Sequence, residues 1–260
     1  MTYKELENLK RIIEIVEILR SPGGCPWDKE QTHKSLKANM LEEAYEAIDA
    51  IDTGNPKDLC EELGDVLLQV VLHSQIASEE NKFDIEDVAK TIADKIIRRH
   101  PHVFGDIKVS GTNEVLTNWD LIKQQEKPDR KSALSGVAKS QPALLAASEY
   151  SKKAVKVGFE WPNEESLWEC LQSEIEEFKH EVDAGDKELM EDELGDILFS
   201  IVNVARWHKI NPELALIKAN NKFKKRFQLM EQIADKDLKE YTQAELEELW
   251  CEAKKALKGK

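Results

Sequence analysis

Apolar residues recur at helical spacing along most of the chain. One series stands at Leu9, Ile12, Ile13, Val16 and Leu19, and a second runs through Leu59, Leu63, Val66, Leu67, Val70 and Val71. Steps of three and four residues place each series on one face of a helix. No stretch alternates convincingly between apolar and polar positions, as a half-buried strand would. The pattern therefore predicts an all-α protein.

Glycine and proline interrupt this pattern where helices are expected to end. The interruptions are SPGGCPWD (21–28), TGNP (53–56), HPHVFG (100–105), GFEWPN (158–163) and AGD (184–186). A polar stretch with two prolines covers 124–142. We predict an N-terminal helical domain over residues 1–127, a linker over 128–142 and a C-terminal helical domain over 143–260. The helical run at 143–157 either belongs to the second domain or ties the two together.

The two halves of the chain repeat each other. CEELGDVLLQ begins at Cys60 and EDELGDILFS begins at Glu191. The same shift of 131 positions superposes Leu36 on Leu167 further upstream. Self-similarity at one offset indicates two copies of one structural unit, and 260 residues suffice for two domains with a core each.

Charge and composition exclude several classes of protein. The formal net charge is -14, whereas proteins that bind the nucleic-acid backbone need a surplus of Lys and Arg. No apolar run approaches the length of a membrane span, and the N-terminal segment is charged throughout. Four cysteines without a CxxC pair favour reduced thiols over a disulfide or zinc framework. We expect a cytoplasmic protein that binds neither nucleic acid nor membrane.

Carboxylates stand at matched distances on either side of two predicted turns. Glu46 and Glu62 each lie eight residues from Gly54, and Glu43 and Asp65 each lie eleven residues from it. If the two helices fold back on each other, these four carboxylates meet, the nearer pair about 12 Å from the turn. The corresponding residues around Gly185 are Glu174, Glu177, Glu193 and Asp196.

Four anions on partly apolar helices repel one another, so the pattern predicts a bound cation. Oxygen ligands suit Mg²⁺, Mn²⁺ or Ca²⁺, and Mg²⁺ is commonly shared between carboxylates and substrate phosphates. A solvated acidic helix face is the alternative for any single pair, but the duplication favours a site. A ferritin-like iron bundle would need Glu-x-x-His where this chain has Glu-x-x-Asp.

Basic residues follow each acidic hairpin. They are Lys95, Arg98 and Arg99 in the first half and Lys218, Lys222, Lys225 and Arg226 in the second. The i, i+4 pairs Lys95/Arg99 and Lys222/Arg226 could each hold one anion, which together with a metal suggests a polyphosphate ligand; a solvated basic stripe is the alternative.

Two tryptophan–lysine pairs also repeat at the offset of 131. Trp119 and Lys123 match Trp250 and Lys254. Such a pair could stack a base and touch a phosphate, or the tryptophan could simply pack a terminal helix. The chain contains neither a GxxxxGK[ST] loop nor an evident Cys–His or Ser–His pairing. A water molecule, deprotonated with help from a carboxylate, is therefore the simplest nucleophile.

Seven stretches resemble MazG-type nucleoside triphosphate pyrophosphohydrolases, and together they span essentially the whole chain. They are GGCPWDKEQTHKSL (23–36), LEEAYEAIDAI (41–51), EELGDVLLQVVLHSQIA (61–77), RRHPHVFGD (98–106), KVGFEWP (156–162), DELGDILFSIVNVAR (192–206) and KANNKFKKRF (218–227). The resemblance implies tandem all-α helical bundles, a tight homodimer, and Mg²⁺, with Mn²⁺ as an alternative. It implies hydrolysis of NTPs and dNTPs to a nucleoside monophosphate and pyrophosphate, with little base selectivity. It also implies a housekeeping or stress-related role in clearing nucleotides.

The resemblance also implies roles for individual residues. The Mg²⁺ ligands and catalytic residues would be Glu174, Glu177, Glu193 and Asp196, with Glu43, Glu46, Glu62 and Asp65 as the metal ligands of the first half. Substrate would be bound by Lys222, Arg226, Trp250 and Lys254, and in the first half by Lys95, Arg99, Trp119 and Lys123. For His33, His100 and His102, which lie in the matching stretches, we expect packing or loop anchoring.

One position departs from the family pattern. The doubled glutamate is kept as Glu42–Glu43 but reads Ser173–Glu174 in the second half. If the extra acid is a base or a second-metal ligand, the second site is the impaired one. The tandem members of the family and the richer basic run at 218–227 favour the C-terminal half as the main catalytic unit, and we predict that. The rival hypotheses are a regulator that binds metal or nucleotide without turnover, and a scaffold without a site.

Overall fold

The chain folds into helices, several of which end where glycine and proline predict it, although the predicted interruption at 100–105 contains a short helix, Pro101–Phe104. The computed structural model describes residues 6–126 and 132–258, and these ranges contain no β-strand. The chain forms two compact units, Met1–Pro128 (unit 1) and Asp129–Lys260 (unit 2). The all-α class and the tandem arrangement are thereby confirmed. Residues 128–131 of the predicted linker lie outside the described residues, and 132–142 form turns and irregular backbone.

Unit 1 is built around one long helical hairpin. Its helices are α1 (Glu7–Arg20), α2 (Pro26–Glu30), α3 (Lys37–Thr53), α4 (Pro56–Glu79), α5 (Ile85–Arg99), α6 (Pro101–Phe104) and α7 (Thr112–Gln125). α3 packs along α4, and α1 covers the other side of α4. The core between them consists of Val16, Leu36, Val71, Leu72 and Ile76. The predicted apolar faces of α1 and α4 therefore meet at Val16 and Val71.

Unit 2 repeats the hairpin with different surroundings. Its helices are α8 (Ala143–Lys156), α9 (Glu164–Ala184), α10 (Lys187–Trp207), α11 (Pro212–Ile233) and α12 (Gln243–Lys258), with a short 3₁₀ turn at Leu238–Glu240. α9 packs along α10, α8 lies against α10 and α11, and α12 lies against α11. The run at 143–157 thus packs within the second unit. Leu167 and Val202, the counterparts of Leu36 and Val71, are also completely buried.

Both hairpins turn in the same way. Gly54 and Gly185 follow the last residue of α3 and α9 with φ of +72° and +75°, a conformation that residues with a Cβ rarely adopt. The next residue, Asn55 or Asp186, then caps α4 or α10 with its side-chain oxygen. Each turn therefore stops one helix and starts the next within two residues, so the helices run back antiparallel.

Across the described residues, no helix is both long and apolar enough to cross a membrane.

Candidate active site

Three carboxylates of unit 2 converge near the middle of the α9–α10 hairpin. Glu174 and Glu177 lie on α9 and Glu193 lies on α10, and each places an oxygen within 4.8 Å of the other two. Glu174 and Glu177 are one helical turn apart on α9, and Glu193 faces them from α10, as the count from Gly185 predicts. We call Glu174, Glu177 and Glu193 the unit 2 trio.

The fourth predicted carboxylate, Asp196, stands beside the trio. It is close enough that its charge, together with that of Glu177, raises the pKa of Glu193, although burial of Glu193 is the larger cause. Asp196 also lines a cavity that the trio member Glu174 borders. The predicted set therefore comes together, with Asp196 on its cavity side.

Unit 1 assembles a related but different trio. Its members are Glu43, Glu62 and Asp65, again with one oxygen each within 4.8 Å of the others. Glu46 is exposed and lies outside this group, but its charge is close enough to raise the pKa of Glu62, after the larger effect of burial. The pKa values of Glu43 and Glu62 are raised, first by burial and then by neighbouring carboxylates. The two trios thus share two equivalent positions, Glu43 with Glu174 and Glu62 with Glu193. Their third members differ, being Asp65 in unit 1 and Glu177 in unit 2.

Either trio could hold a hard divalent cation. Ligands at about 2.0–2.1 Å from Mg²⁺ put opposite oxygens about 4 Å apart, so a spread of 4.8 Å closes with a small side-chain movement. Carboxylate oxygens are also the donors that this class of ion prefers. Burial is the larger cause of the raised pKa values of Glu62 and Glu193, and repulsion by neighbouring carboxylates, which a bound cation would relieve, adds to it.

Two neighbouring side chains donate to the unit 2 trio. Ser173 Oγ lies 2.8 Å from Glu177 Oε1, and Cys170 Sγ lies 3.6 Å from Glu174 Oε1. The pKa of Cys170 is raised, chiefly by burial and also by its bond to Glu174, so this thiol stays protonated and can donate. These contacts orient two of the three carboxylates.

A cavity of about 580 Å³ opens beside the unit 2 trio. Its aromatic walls come from Tyr150 on α8 and from Phe159 and Trp161 in the loop before α9, while Glu174 and Asp196 lie at its acidic side. A recess of this size that combines aromatic walls with convergent polar groups is typical of a small-molecule site. The sequence analysis missed it. Its one signal was the aromatic GFEWP stretch, in which a glycine at φ +90° turns the chain.

The remaining wall of the cavity is polar and internally hydrogen-bonded. Arg206 donates from Nε to Ser151 Oγ at 2.6 Å, and Ser151 donates to Asn203 Oδ1 at 2.6 Å. The other end of the Arg206 guanidinium binds both oxygens of Glu160 at 2.6 and 2.5 Å. This bond holds the pKa of Glu160 below its usual range. We call these four residues the polar wall.

The corresponding region of unit 1 is filled. Leu72 and Leu68 stand at the positions of Asn203 and Phe199 on the hairpin, and Leu72 belongs to the hydrophobic core with Leu68 packed against it. A recess of about 390 Å³ in unit 1 is lined by α5 and α6 residues and includes none of the trio. The cavity that a trio member borders, of about 580 Å³, lies in unit 2.

The predicted basic residues of unit 1 are engaged within the unit. Arg99 and Arg98 both bind Glu126, with nitrogen–oxygen distances of 2.5 and 2.7 Å. The Trp119 ring meets the His100 ring edge-on, with centroids 4.9 Å apart. Lys95 is half-buried and Lys123 is exposed. The substrate-binding roles of these residues stay predictions.

In unit 2 the basic and aromatic candidates form a separate cluster. The Arg226 guanidinium lies 5.7 Å from the centre of the Trp250 ring, which Phe223 also contacts at 5.2 Å between centroids. Lys222 and Lys254 are exposed. None of the four candidates lines the cavity beside Glu174. The structure therefore brings Arg226 and Trp250 to each other rather than to the cavity.

The histidines of the matching stretches make packing contacts. His33 Nδ1 lies 2.8 Å from His73 Nδ1, with the two rings nearly parallel. His100 Nδ1 lies 2.7 Å from the Ile96 carbonyl oxygen, to which it donates, and its ring contacts that of His102. His33 thereby links the turn before α3 to α4, and His100 is tied to the end of α5.

Known proteins share this chain's sequence over nearly its whole length. The sequence model of the MazG nucleotide pyrophosphohydrolase domain matches residues 31–104 and again 162–229. The chain is 46% identical over 94% of its length to the Thermotoga maritima nucleoside triphosphate pyrophosphohydrolase/pyrophosphatase MazG, covering 95% of that protein. It is 40% identical over 96% of its length to the Escherichia coli nucleoside triphosphate pyrophosphohydrolase, covering 98% of it.

A further relative embeds a similar sequence in a longer protein. The chain is 47% identical over 98% of its length to the Bacillus subtilis uncharacterized protein YabN and covers 52% of that protein. Two domain matches in one chain agree with the two acidic hairpins seen in the structure. This chain belongs to the MazG nucleotide pyrophosphohydrolase family.

Proposed function

We propose that the protein hydrolyses nucleoside and deoxynucleoside triphosphates to a nucleoside monophosphate and pyrophosphate, with Mg²⁺ held by carboxylates. The family match and the activity for which two relatives of nearly full length are named support the reaction. The principal site is in unit 2. One observation supports that choice: the unit 2 trio borders an aromatic cavity of about 580 Å³, whereas the matching region of unit 1 is filled by Leu68 and Leu72.

Two regions of the cavity suit the two parts of a nucleotide, its base and its phosphates. The aromatic walls offer flat apolar surface to a base, while the acidic side of the cavity lies where the phosphates would follow. Carboxylates alone would repel a triphosphate, so the site needs the divalent cation that the oxygen set fits. Bound there, such a cation would neutralise phosphate charge as it builds up during the reaction.

The protein's own groups account for positioning and for proton transfer. Glu174, Glu177 and Glu193 would hold the cation, which would supply the positive charge that binds the phosphate end. Asp196 lines the cavity but stands outside the trio, so we assign it to accept the proton of the attacking water. Lys222 and Arg226 remain our candidates for phosphate contacts, although neither lines the cavity in the single chain.

We further propose a homodimer. Leu194, Leu198 and Ile201 are 46%, 47% and 46% exposed on α10, which is unusual for three large apolar side chains at steps of three and four residues on one helix. A second copy of the chain would cover this stripe. Light scattering behind size exclusion measures the mass, and a monomer at micromolar concentration would contradict the proposal.

We also propose that the protein has broad base specificity, accepts Mn²⁺ as a substitute for Mg²⁺ and clears nucleotides in the cytoplasm. The aromatic part of the cavity wall offers a stacking surface, and stacking tolerates any base. The net charge of -14 further favours free nucleotides over nucleic acid as partners.

Product analysis tests the reaction and names the working unit. A panel of NTPs and dNTPs is incubated with wild type, Glu193→Gln and the matched unit 1 variant Glu62→Gln, with Mg²⁺ and with EDTA. We expect monophosphate and pyrophosphate from wild type and Glu62→Gln, and no product with EDTA or from Glu193→Gln. Orthophosphate and diphosphate as products would refute the proposed reaction, and loss only in Glu62→Gln would move the site to unit 1.

A further inference from the structure

Asn203 lies in the cavity wall with part of its hydrogen-bonding capacity unused. The residue is only 8% exposed. Its Oδ1 accepts from Ser151 at 2.6 Å, and its Nδ2 donates to the Phe199 carbonyl at 3.2 Å. A primary amide has two N–H groups and two lone pairs on its oxygen. Those bonds leave one N–H and one lone pair for a molecule in the cavity.

The orientation of this amide is fixed by its neighbours. An arginine can only donate, so Ser151 Oγ accepts from Arg206 Nε and directs its own hydrogen to Asn203 Oδ1. Glu160 in turn holds the far end of the Arg206 guanidinium. The series of hydrogen bonds from Glu160 through Arg206 and Ser151 therefore fixes the orientation of the Asn203 amide and identifies its oxygen and nitrogen atoms.

We infer that Asn203 reads the edge of the substrate's base through this remaining N–H and lone pair. The inference rests on the proposed function, in which the cavity receives the nucleoside. Adenine and cytosine present a ring nitrogen beside an amino group, and guanine and uracil present a carbonyl beside a ring N–H. An amide matches each of these edges by supplying one donor and one acceptor. Guanine and uracil present donor and acceptor in the opposite order to adenine and cytosine, so the fixed Asn203 amide binds these two classes of base in orientations turned over relative to each other.

The contrast with unit 1 supports this role. Leu72 occupies the corresponding position, is 3% exposed and packs with Val71 and Ile76 in the core. A buried amide is costly unless its polar atoms are used, whereas leucine fills such a position without that cost. Asn203 and the residues that orient it are thus present in the unit that has the cavity.

Two substitutions separate base reading from simple packing. Asn203→Asp keeps the shape but offers acceptors only, which match the adjacent N1–H and N2–H groups of guanine and oppose the N1 acceptor of adenine. We expect the ratio of guanine to adenine nucleotide affinity to rise about tenfold or more, since one bidentate base contact discriminates by roughly 5- to 150-fold. Asn203→Leu, which installs the unit 1 residue, should weaken all four nucleotides about tenfold.

The experiment is equilibrium titration of the full chain with α,β-methylene analogues of ATP, GTP, CTP and UTP in the presence of Mg²⁺. Gln228→Glu, the same amide-to-carboxylate change at an exposed position of α11, is the control and should leave all four affinities unchanged. An unaltered guanine-to-adenine ratio in Asn203→Asp, or undiminished affinity in Asn203→Leu, overturns the inference.

Parallel hydrolysis assays on wild type distinguish a failure of the base-reading role from a failure of the proposed reaction. Pyrophosphate release with unaltered variant affinities would sink the base-reading role alone. Analogue binding with the expected changes but no release would sink the proposed reaction and keep the base-reading role. Circular dichroism checks that the Asn203 variants fold. If they do not, Ser151→Ala, which frees the Asn203 amide to rotate, should weaken all four analogues several-fold, and unchanged affinities would again overturn the inference.

Discussion

The hydroxyl of Ser173 donates a hydrogen bond to the carboxylate of Glu177, with Oγ and Oε1 2.8 Å apart on successive turns of α9. Unit 1 has Glu42 at the position of Ser173 and Glu46 at that of Glu177. Glu46 stands outside its trio, whereas Glu177 belongs to its own. An anion at the supporting position repels the acid one turn later, and a hydroxyl holds it. The two units thus differ both at this supporting position and in the third carboxylate of the trio.

Ser173→Ala should lower the apparent Mg²⁺ affinity of the unit 2 site. Loss of a residue that orients a metal ligand typically costs about 10- to 100-fold in metal affinity, and we expect the lower end because Glu177 is exposed. A Mg²⁺ titration of pyrophosphate release measures the shift. Gln172→Ala is the matched control, because its side chain binds Glu176 rather than a trio member. Equal titration curves for Ser173→Ala and wild type would contradict the supporting role.

Glu177→Gln and Asp196→Asn should each reduce Mg²⁺-dependent turnover by about 100-fold or more while leaving the fold intact. In EDTA the Glu177→Gln protein should unfold at a slightly higher temperature than wild type, because one of several repelling charges is gone. Added Mg²⁺ should raise the unfolding temperature of wild type more than that of the variant, since ligands stabilise only the state that binds them. Thermal scans with and without Mg²⁺ check both points, and near-normal turnover in both variants would refute the unit 2 assignment.

Breaking the Glu160–Arg206 pair should destabilise unit 2. Their side chains are 28% and 11% exposed, so the cost falls between that of an exposed pair, about 0–1 kcal/mol, and a buried one, about 3–5 kcal/mol. We expect about 2 kcal/mol for Arg206→Met in urea unfolding. The double variant with Glu160→Gln should cost less than the two single changes added together, because it leaves no unpaired charge. Strict additivity would show that the two side chains do not interact.

Acid should remove the contribution of Glu126 to the stability of unit 1. Hydrogen bonds from Arg99 and Arg98 lower the pKa of Glu126 from 4.5 to about 2. A carboxyl group with a depressed folded-state pKa stabilises the fold above its unfolded pKa, and the contribution is lost as pH falls toward the folded value. The difference in unfolding temperature between wild type and Glu126→Gln should therefore be largest near neutral pH and shrink between pH 4.5 and about 2. A difference that does not vary with pH would refute this account.

Spacing along the chain was enough to predict the two hairpins and the carboxylates they bring together. Helix period and the turns at Gly54 and Gly185 act over a few residues, so equal counts from each glycine suffice to bring carboxylates to matched heights. The repeat at 131 positions likewise predicted the tandem helical units. These features are local, and local geometry can be read from spacing.

Spacing could not predict which carboxylate completes each trio, where the cavity lies or what the basic residues bind, because these depend on how the helices pack. Tyr150, Trp161 and Asn203 reach one cavity from two helices and a loop, and no period relates their positions. The charge pattern identified Arg99 as a cation. It did not show that Glu126, 27 residues later, would bind it. Whether a polar side chain faces solvent, an ion partner or a cavity depends on what the neighbouring helices leave unfilled. That outcome is set by packing between segments distant in sequence.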